Sequence, residues 1–405
     1  MTIEIIKDGN ITSVPGFFAG SSHCGLKNSG KKLDICIINT PEGSVCSGVF
    51  TVNRFKAAPV ILDIKTLKDQ DRIKAIAINS GIANACTGSA GMENAKKMQQ
   101  LTADALGISS REVLVSSTGV IGKQLPMKKI ENGIKNCASA MDPDGGDDAA
   151  RAILTTDLIE KKAAVRIITE DKKEITIGGI AKGSGMIEPN MATMLAFIGT
   201  DAQAARDVLD SILKKANEES FNSISVDGCQ STNDSAFLMA NGKSGVKIER
   251  SSSDYDKLYR GVAAIMKQLA KKIVMDGEGA TKFIEIKVDG APVWKQAKKA
   301  AMKIANSNLF KTAIFGQDLN WGRINAALGA SGIVFDPDKV NIYMNDKMIV
   351  KNGIGLDLKK SEADILLKPK DIIIKVDLNN GKENWTVWTS DLSFDYIKIN
   401  ALYHN

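Results

Sequence analysis

The chain of 405 residues has only two histidines, His23 and His404, near its opposite ends. A Ser-His-Asp triad would have to recruit one of them, and neither stands in a catalytic context. Its six cysteines, Cys24, Cys36, Cys46, Cys86, Cys137 and Cys229, form no C-x-x-C pair. With histidine this scarce, no zinc or other metal site is expected. Scattered single cysteines suit a reducing, cytoplasmic setting, and burial as small apolar groups is the expectation for them. Cys86 has no neighbouring histidine to activate it. No Walker loop is present, and no G-x-G-x-x-G follows a strand and opens a helix, so nucleotide-driven chemistry is not expected. Apolar runs stop well short of the ~18 residues a membrane span needs. The opening Met1–Asp8 lacks a basic start and a long apolar core, so no secretory signal is expected. Internal repeats and low-complexity linkers are also missing. Asp142–Asp148 is acidic and glycine-containing but lacks EF-hand spacing, and reads as a turn or exposed loop.

What remains is the composition of an ordinary globular protein, at a length that suggests two or three folding units. The net charge of +6 is dispersed. Pairs such as Lys31-Lys32, Lys161-Lys162 and Lys271-Lys272 carry no interleaved aromatics and read as solvated faces, not nucleic-acid contacts. Short apolar runs predict strands at 35–38, 75–78, 113–115, 165–168, 175–177, 194–198, 283–288, 342–344, 372–376 and 385–388. Helical spacing joins Ala95, Met98, Leu101 and Leu106. It also joins Ala205, Val208, Leu209, Ile212 and Leu213, with Asp201 as the expected N-cap. Leu258, Val262, Ile265, Met266 and Leu269 form a third such face, and 297–304 a fourth. Strands and helices joined by glycine-rich connections predict an α/β or α+β fold.

One segment carries chemistry: Lys182-Gly-Ser-Gly-Met-Ile-Glu-Pro-Asn-Met-Ala-Thr-Met-Leu195. A polar, glycine-rich loop runs into an apolar strand at the junction Ala192-Thr193. Cleavage there would make Thr193 an N-terminus. Its hydroxyl would gain its own α-amine as general base, with a pKa of about 7.7–8.0. A threonine activated in this way is an established nucleophile arrangement. Gly183 and Gly185 permit unusual backbone conformations, and Pro189 stiffens the approach.

This junction, preceded by Ala181-Lys-Gly-Ser-Gly-Met186, resembles the self-cleavage site of the ornithine acetyltransferase family. The same order of motifs continues along essentially the whole chain. Upstream come Gly48–Asn53, Ala57-Ala-Pro-Val60, Asn79-Ser-Gly81, Asn84–Gly88, Ser117-Thr-Gly119 and Thr155-Thr-Asp157. Downstream come Ser231-Thr-Asn-Asp234, Asp276–Lys282, Lys311–Gly316, Asn320-Trp-Gly-Arg323 and Asp395–Asn400. The resemblance implies a layered α-β-β-α, self-cleaving N-terminal-threonine nucleophile fold. Residues 1–192 would form an α chain with the oxyanion hole and a substrate lysine, and 193–405 a β chain headed by the nucleophile. It implies acetyl transfer from N2-acetylornithine to glutamate, with acetyl-CoA a further donor in some members and no other cofactor. It places the oxyanion hole at Thr118 and Gly119, and substrate contacts at Thr155 (preferred over Thr156), Lys182, Thr193, Glu278, Asn400 and Asn405. It also implies a heterotetramer of two α and two β chains. Two departures stand out. The chain ends in Asn405 where a hydroxyl residue is usual, and Cys229-Gln230 replaces a more polar pair. Against this stand a hydrolase reading, an N-terminal-nucleophile aminopeptidase or amidase, and a non-enzymatic metabolite-binding protein. An uncut chain would favour the last.

Overall fold

The computed structural model describes residues 3–27, 30–188 and 194–402. The junction Ala192-Thr193 and the terminal Asn405 therefore lie outside the described residues.

The larger lobe is built on a nine-stranded sheet. Its hub is the 16-residue strand Ile35–Phe50, whose register breaks between Asn39 and Ser44. The first half pairs with Phe18–Ser22 and Arg72–Ile82, and the latter strand continues in parallel to Val113–Val120. The second half pairs with Ser235–Ala240, which leads on through Leu195–Thr200, Glu174–Lys182 and Lys161–Ile168 to Ile3–Ile6. Side-chain alternation then sorts the apolar residues into three cores. Ile35, Ile37, Ala75, Ala77, Val113 and Val115 pack under the helices Ala58–Asp69, Gly88–Leu106 and Met127–Ser139. The alternate residues Cys36, Ile38, Ile76, Ile78 and Leu114 share a core with Ile180, Leu195, Phe197, Phe237 and Met239. On the far side, Ile177, Ala181, Ala196, Ile198, Ala236 and Leu238 pack under the helices Arg206–Glu218 and Ser253–Met275. The layers run helix, sheet, sheet, helix, which is the expected α-β-β-α arrangement.

The smaller lobe is a seven-stranded sheet centred on Phe283–Ala291, Asp371–Asp377 and Glu383–Ser390, backed by the helices Trp294–Ala305, Asn308–Phe315 and Trp321–Gly329. The lobes are joined by Ile224–Ser225, which lies parallel to Glu383–Ser390, and by the bond from Trp385 Nε1 to Ser223 Oγ at 2.9 Å. The division at 192/193 follows neither lobe. It falls between the antiparallel neighbours Glu174–Lys182 and Leu195–Thr200 of the large sheet.

Several local expectations are corrected. Asp201 caps no helix: Ala205 precedes Arg206–Glu218, while buried Asp201 accepts the Thr176 N–H at 2.8 Å. The acidic stretch at 142–148 turns only as far as Gly145, because Gly146–Ala152 is helical and Asp147 pairs with Lys162 at 2.7 Å. Cys86 and Cys229 are exposed, unlike buried Cys36, Cys46 and Cys137. The last described segment, Phe394–Leu402, is a helix. Among the described residues, no helix is long and apolar enough to cross a membrane.

Candidate acyl-transfer site

The ends of two strands, several loops and the C-terminal helix meet at one cleft of about 170 Å³. Thr118 and Gly119 come from the end of Val113–Val120, and Lys182 from the end of Glu174–Lys182. Leu195–Thr200 starts opposite Lys182, two residues beyond the junction. The loop after Gly146–Ala152 supplies Thr155 and Thr156, the turn after Ser253–Met275 supplies Glu278, and the C-terminal helix supplies Asn400. The structure thus brings together Thr118, Gly119, Thr155, Lys182, Glu278 and Asn400.

Lys182 is the electrostatic centre. It is 3% exposed, donates to Thr155 Oγ1 at 2.6 Å and Thr118 Oγ1 at 3.4 Å, and lies 3.6 Å from Asp157 Oδ2. Thr155 thus receives the bond that its neighbour does not. Thr156 instead meets Ser184 Oγ at 2.8 Å. Burial pushes the Lys182 ammonium below its ordinary range, opposed by the Asp157 carboxylate.

Asp157 was not singled out from sequence, yet it organises this corner. Its Oδ1 accepts the Gly183 N–H at 2.7 Å and faces Lys161 Nζ at 2.5 Å. Its Oδ2 accepts the Thr155 N–H at 3.0 Å. Although burial opposes ionisation, Lys182 and Lys161 hold the carboxyl well below the usual range. Lys161 also reaches Asp276 Oδ2 at 2.5 Å, and that oxygen accepts the Leu158 N–H at 3.0 Å. This buried ion network links residues before the junction to Asp276 after it. Two residues on, the Glu278 N–H donates to Ser184 O at 2.8 Å, and Glu278 Oε2 accepts Asn400 Nδ2 at 2.9 Å. Gly185 packs directly on this carboxylate, and a Cβ there would stand 2.4 Å from Glu278 Oε2 and displace it.

Both flanks of the junction are held by carboxylates also missed from sequence. Asp227 accepts the N–H groups of Met186 at 2.6 Å and Ile187 at 2.9 Å. It thereby fixes Met186 at φ +59°, a left-handed conformation rare for this side chain. Asp234, fully buried, accepts the Met194 N–H at 2.9 Å. Beside it, Asn233 donates to Ala83 O at 2.6 Å and Ser117 O at 2.8 Å, tying this segment to the strand Val113–Val120. Gly119 has φ +128°, and a Cβ there would lie 2.3 Å from the Gly81 carbonyl carbon, so only glycine fits. The signal for Asp157, Asp227, Asp234 and Asp276 was their position beside the recognised threonines and glycines. Cys86 stands outside this cleft.

The ArgJ family model matches residues 18–405. The chain is similar to arginine biosynthesis bifunctional protein ArgJ 1 of Clostridium acetobutylicum, at 46% identity over 409 residues and 100% of both chains. It is likewise similar to arginine biosynthesis bifunctional protein ArgJ of Caldanaerobacter subterraneus subsp. tengcongensis, at 47% identity over 98% of this chain and 99% of that one. Among solved structures, it is similar to arginine biosynthesis bifunctional protein ArgJ from Bacillus halodurans, with 36% identity, TM-score 0.49, and coverage of 50% of this chain and 96% of that one. A further similarity is to ornithine acetyltransferase from Mycobacterium tuberculosis complexed with ornithine, with 37% identity, TM-score 0.43, and coverage of 46% and 98%. With the family matched over nearly its whole length, the chain belongs to the ArgJ family.

Proposed function

We propose that this protein is an acetyltransferase of arginine biosynthesis that moves an acetyl group from N2-acetylornithine to glutamate, yielding ornithine and N-acetylglutamate. Self-cleavage between Ala192 and Thr193 generates the nucleophile. The Thr193 hydroxyl attacks the acetyl carbonyl while its α-amine takes the proton and passes it to the departing ornithine amine. Thr118 and Gly119 hold the oxyanion. Glutamate then attacks the acetyl ester and regenerates Thr193. Acetyl-CoA serves as a second donor. The observation that carries this reading is the buried Lys182 set in one cleft with Thr118, Thr155, Glu278 and Asn400. A cation and a carboxylate lining one small cavity suit the carboxylate and ammonium of an amino acid. Donor and acceptor share that zwitterionic head, so one pocket serves both in turn. By the family resemblance, Asn405 would contact substrate at the same site. The two fragments stay together because their strands are neighbours in one sheet, and two such pairs form the heterotetramer, in the cytoplasm.

Intact mass of the purified protein tests this directly. Wild type should give fragments 1–192 and 193–405, Thr193→Ser should still cleave, and Thr193→Ala should remain one inactive chain. Acetylornithine alone should add one acetyl group to the fragment beginning at Thr193, and double-reciprocal plots should be parallel. Activity from an uncut chain would refute the mechanism. Release of free acetate with no amine acceptor would indicate a hydrolase instead.

A further inference from the structure

Thr118 and Gly119, the proposed oxyanion residues, are bracketed by hydrogen bonds on both sides. On one side, the Ser117 carbonyl accepts Asn233 Nδ2 at 2.8 Å, and the Ser117 hydroxyl donates to Asn79 Oδ1 at 2.6 Å. On the other, the Val120 carbonyl accepts the Ala83 N–H at 2.9 Å. The Ala83 carbonyl in turn accepts Asn233 Nδ2 at 2.6 Å, so one amide closes the ring around the pair. Val113–Val120 is the last strand of its sheet and pairs with Arg72–Ile82 alone among the described strands. Its outer backbone groups therefore need partners from elsewhere in the molecule.

Asn233 is itself held in place. The Thr232 hydroxyl donates to Asn233 Oδ1 at 2.6 Å, which turns the amide NH2 toward the two carbonyls. The Asn233 N–H donates to Ser231 Oγ at 3.0 Å. Behind them, Thr51 donates its N–H to Asp234 O at 3.0 Å and its hydroxyl to Ser231 O at 2.8 Å, seating residues 231–234 at the end of Ile35–Phe50. Asn233 lines the cleft, but both hydrogens of its NH2 are already committed to carbonyls. It has no side-chain donor left for a substrate, so it acts through the backbone it holds. The next residue, Asp234, accepts the Met194 N–H at 2.9 Å. Adjoining residues, with Cα atoms about 3.8 Å apart, thus grip the start of the strand that follows Thr193 and the segment carrying Thr118 and Gly119.

We propose that Asn233 and Asp234 form a spacer that sets the distance between the nucleophile and the oxyanion donors, with Asn233 the positioning residue for Thr118 and Gly119. The proposal rests on the acyl-transfer reading above. Asn233 lies after the junction, whereas Ala83 and Ser117 lie before it, so the donors on one fragment are aligned by the other. Alignment of this kind acts on the transition state. The tetrahedral oxyanion exists only during reaction, and a bound amino acid in its ground state does not draw on it.

Steady-state kinetics on processed Asn233→Asp, Asn233→Ala and Thr232→Val, with ornithine binding measured by calorimetry, would test this. Asn233→Asp keeps the shape of the side chain but loses both donors. Its kcat for acetylornithine should fall by roughly a hundredfold, the effect of displacing a reacting group by about 1 Å. Asn233→Ala should behave in the same way. In both, kcat and kcat/KM should fall together and ornithine affinity should stay at the wild-type value, the signature of an interaction made only in the transition state. Acetylation of the fragment beginning at Thr193 counts competent sites, so a partly unfolded sample cannot imitate the loss. Wild-type kcat per competent site in Asn233→Asp would overturn the proposal. So would a loss of ornithine affinity matching the fall in kcat, because the cleft as a whole would then have loosened. Should the Asn233 variants fail to fold or process, Thr232→Val decides. It retains the amide but frees it to turn, and an unchanged kcat there would overturn the proposal. Failure of wild type to transfer acetyl from acetylornithine would instead strike the acyl-transfer reading itself.

Discussion

Thr118 and Asp157 illustrate two ways in which a single residue supports this site. Thr118, 3% exposed at a strand end, is the side chain proposed to hold the oxyanion. Removing one such donor costs about 10²–10³ in kcat, so Thr118→Ala should lose activity on that scale with little change in stability. Wild-type turnover in the variant would contradict the assignment. Asp157 acts through others. It is fully buried between two lysines, and Asp157→Ala would leave both ammonium groups short of counter-charge. A loss of about 3–5 kcal/mol is expected, read as a lower urea midpoint. An unchanged midpoint would mean that the network relaxes or takes in water. The roles differ in how far sequence exposes them. Ser117-Thr-Gly119 and Lys182 fall in recognisable motifs at the ends of predicted strands. Asp157, Asp227, Asp234 and Asp276 look like ordinary turn residues, because nothing local shows which distant groups a carboxylate will hold.

At the scale of elements, even short apolar runs such as 113–115 and 175–177 were legible as strands. Every run predicted as a strand lies wholly or largely within one, with ends often extended: 35–38 became Ile35–Phe50, and 175–177 became Glu174–Lys182. Ser235–Ala240 was missed although all six of its residues are buried, as are those of its correctly read neighbour Leu195–Thr200. The segment Phe394–Leu402 is helical although its apolar residues mark no clear helix face. Phe394–Leu402 buries no residue fully, so no core imposes a period on it. Tertiary anchors hold it instead: Ser393 Oγ donates to Gly279 O at 2.6 Å, and Tyr396 OH to Asp227 Oδ2 at 3.2 Å. Deleting residues 400–405 should therefore raise KM for amino-acid substrates by roughly ten- to a hundredfold, about the loss of one hydrogen bond to a charged group, and leave cleavage intact. Unaltered steady-state constants would remove Asn400 and Asn405 from the site.

For the whole molecule, burial of charge in the smaller lobe predicts a pH dependence. Lys311 is 2% exposed, with its ammonium on Thr389 Oγ1 at 2.9 Å and Ser390 O at 2.5 Å. Burial pushes it down to about 7, opposed by Asp391 and Asp227. In the unfolded chain it titrates near about 10.4. Between those values the unfolded state holds a proton that the folded state has shed, so stability rises with pH across this window and this contribution levels off below it. Urea midpoints of wild type should climb relative to Lys311→Met from pH 7 to 10, and parallel curves would contradict the placement. Sequence by itself determined the mixed composition, the apolar runs and the Ala192-Thr193 junction, because each is written in neighbouring residues. Tertiary structure alone decided that Ile35–Phe50 serves two layers, that Lys182, Glu278 and Asn400 line one cleft, and that Asp276 is tied to Lys161 across the junction. The physical reason is burial. Whether a charge is solvated or enclosed, and which distant partner balances it, depends on how the layers pack, and no local pattern encodes that.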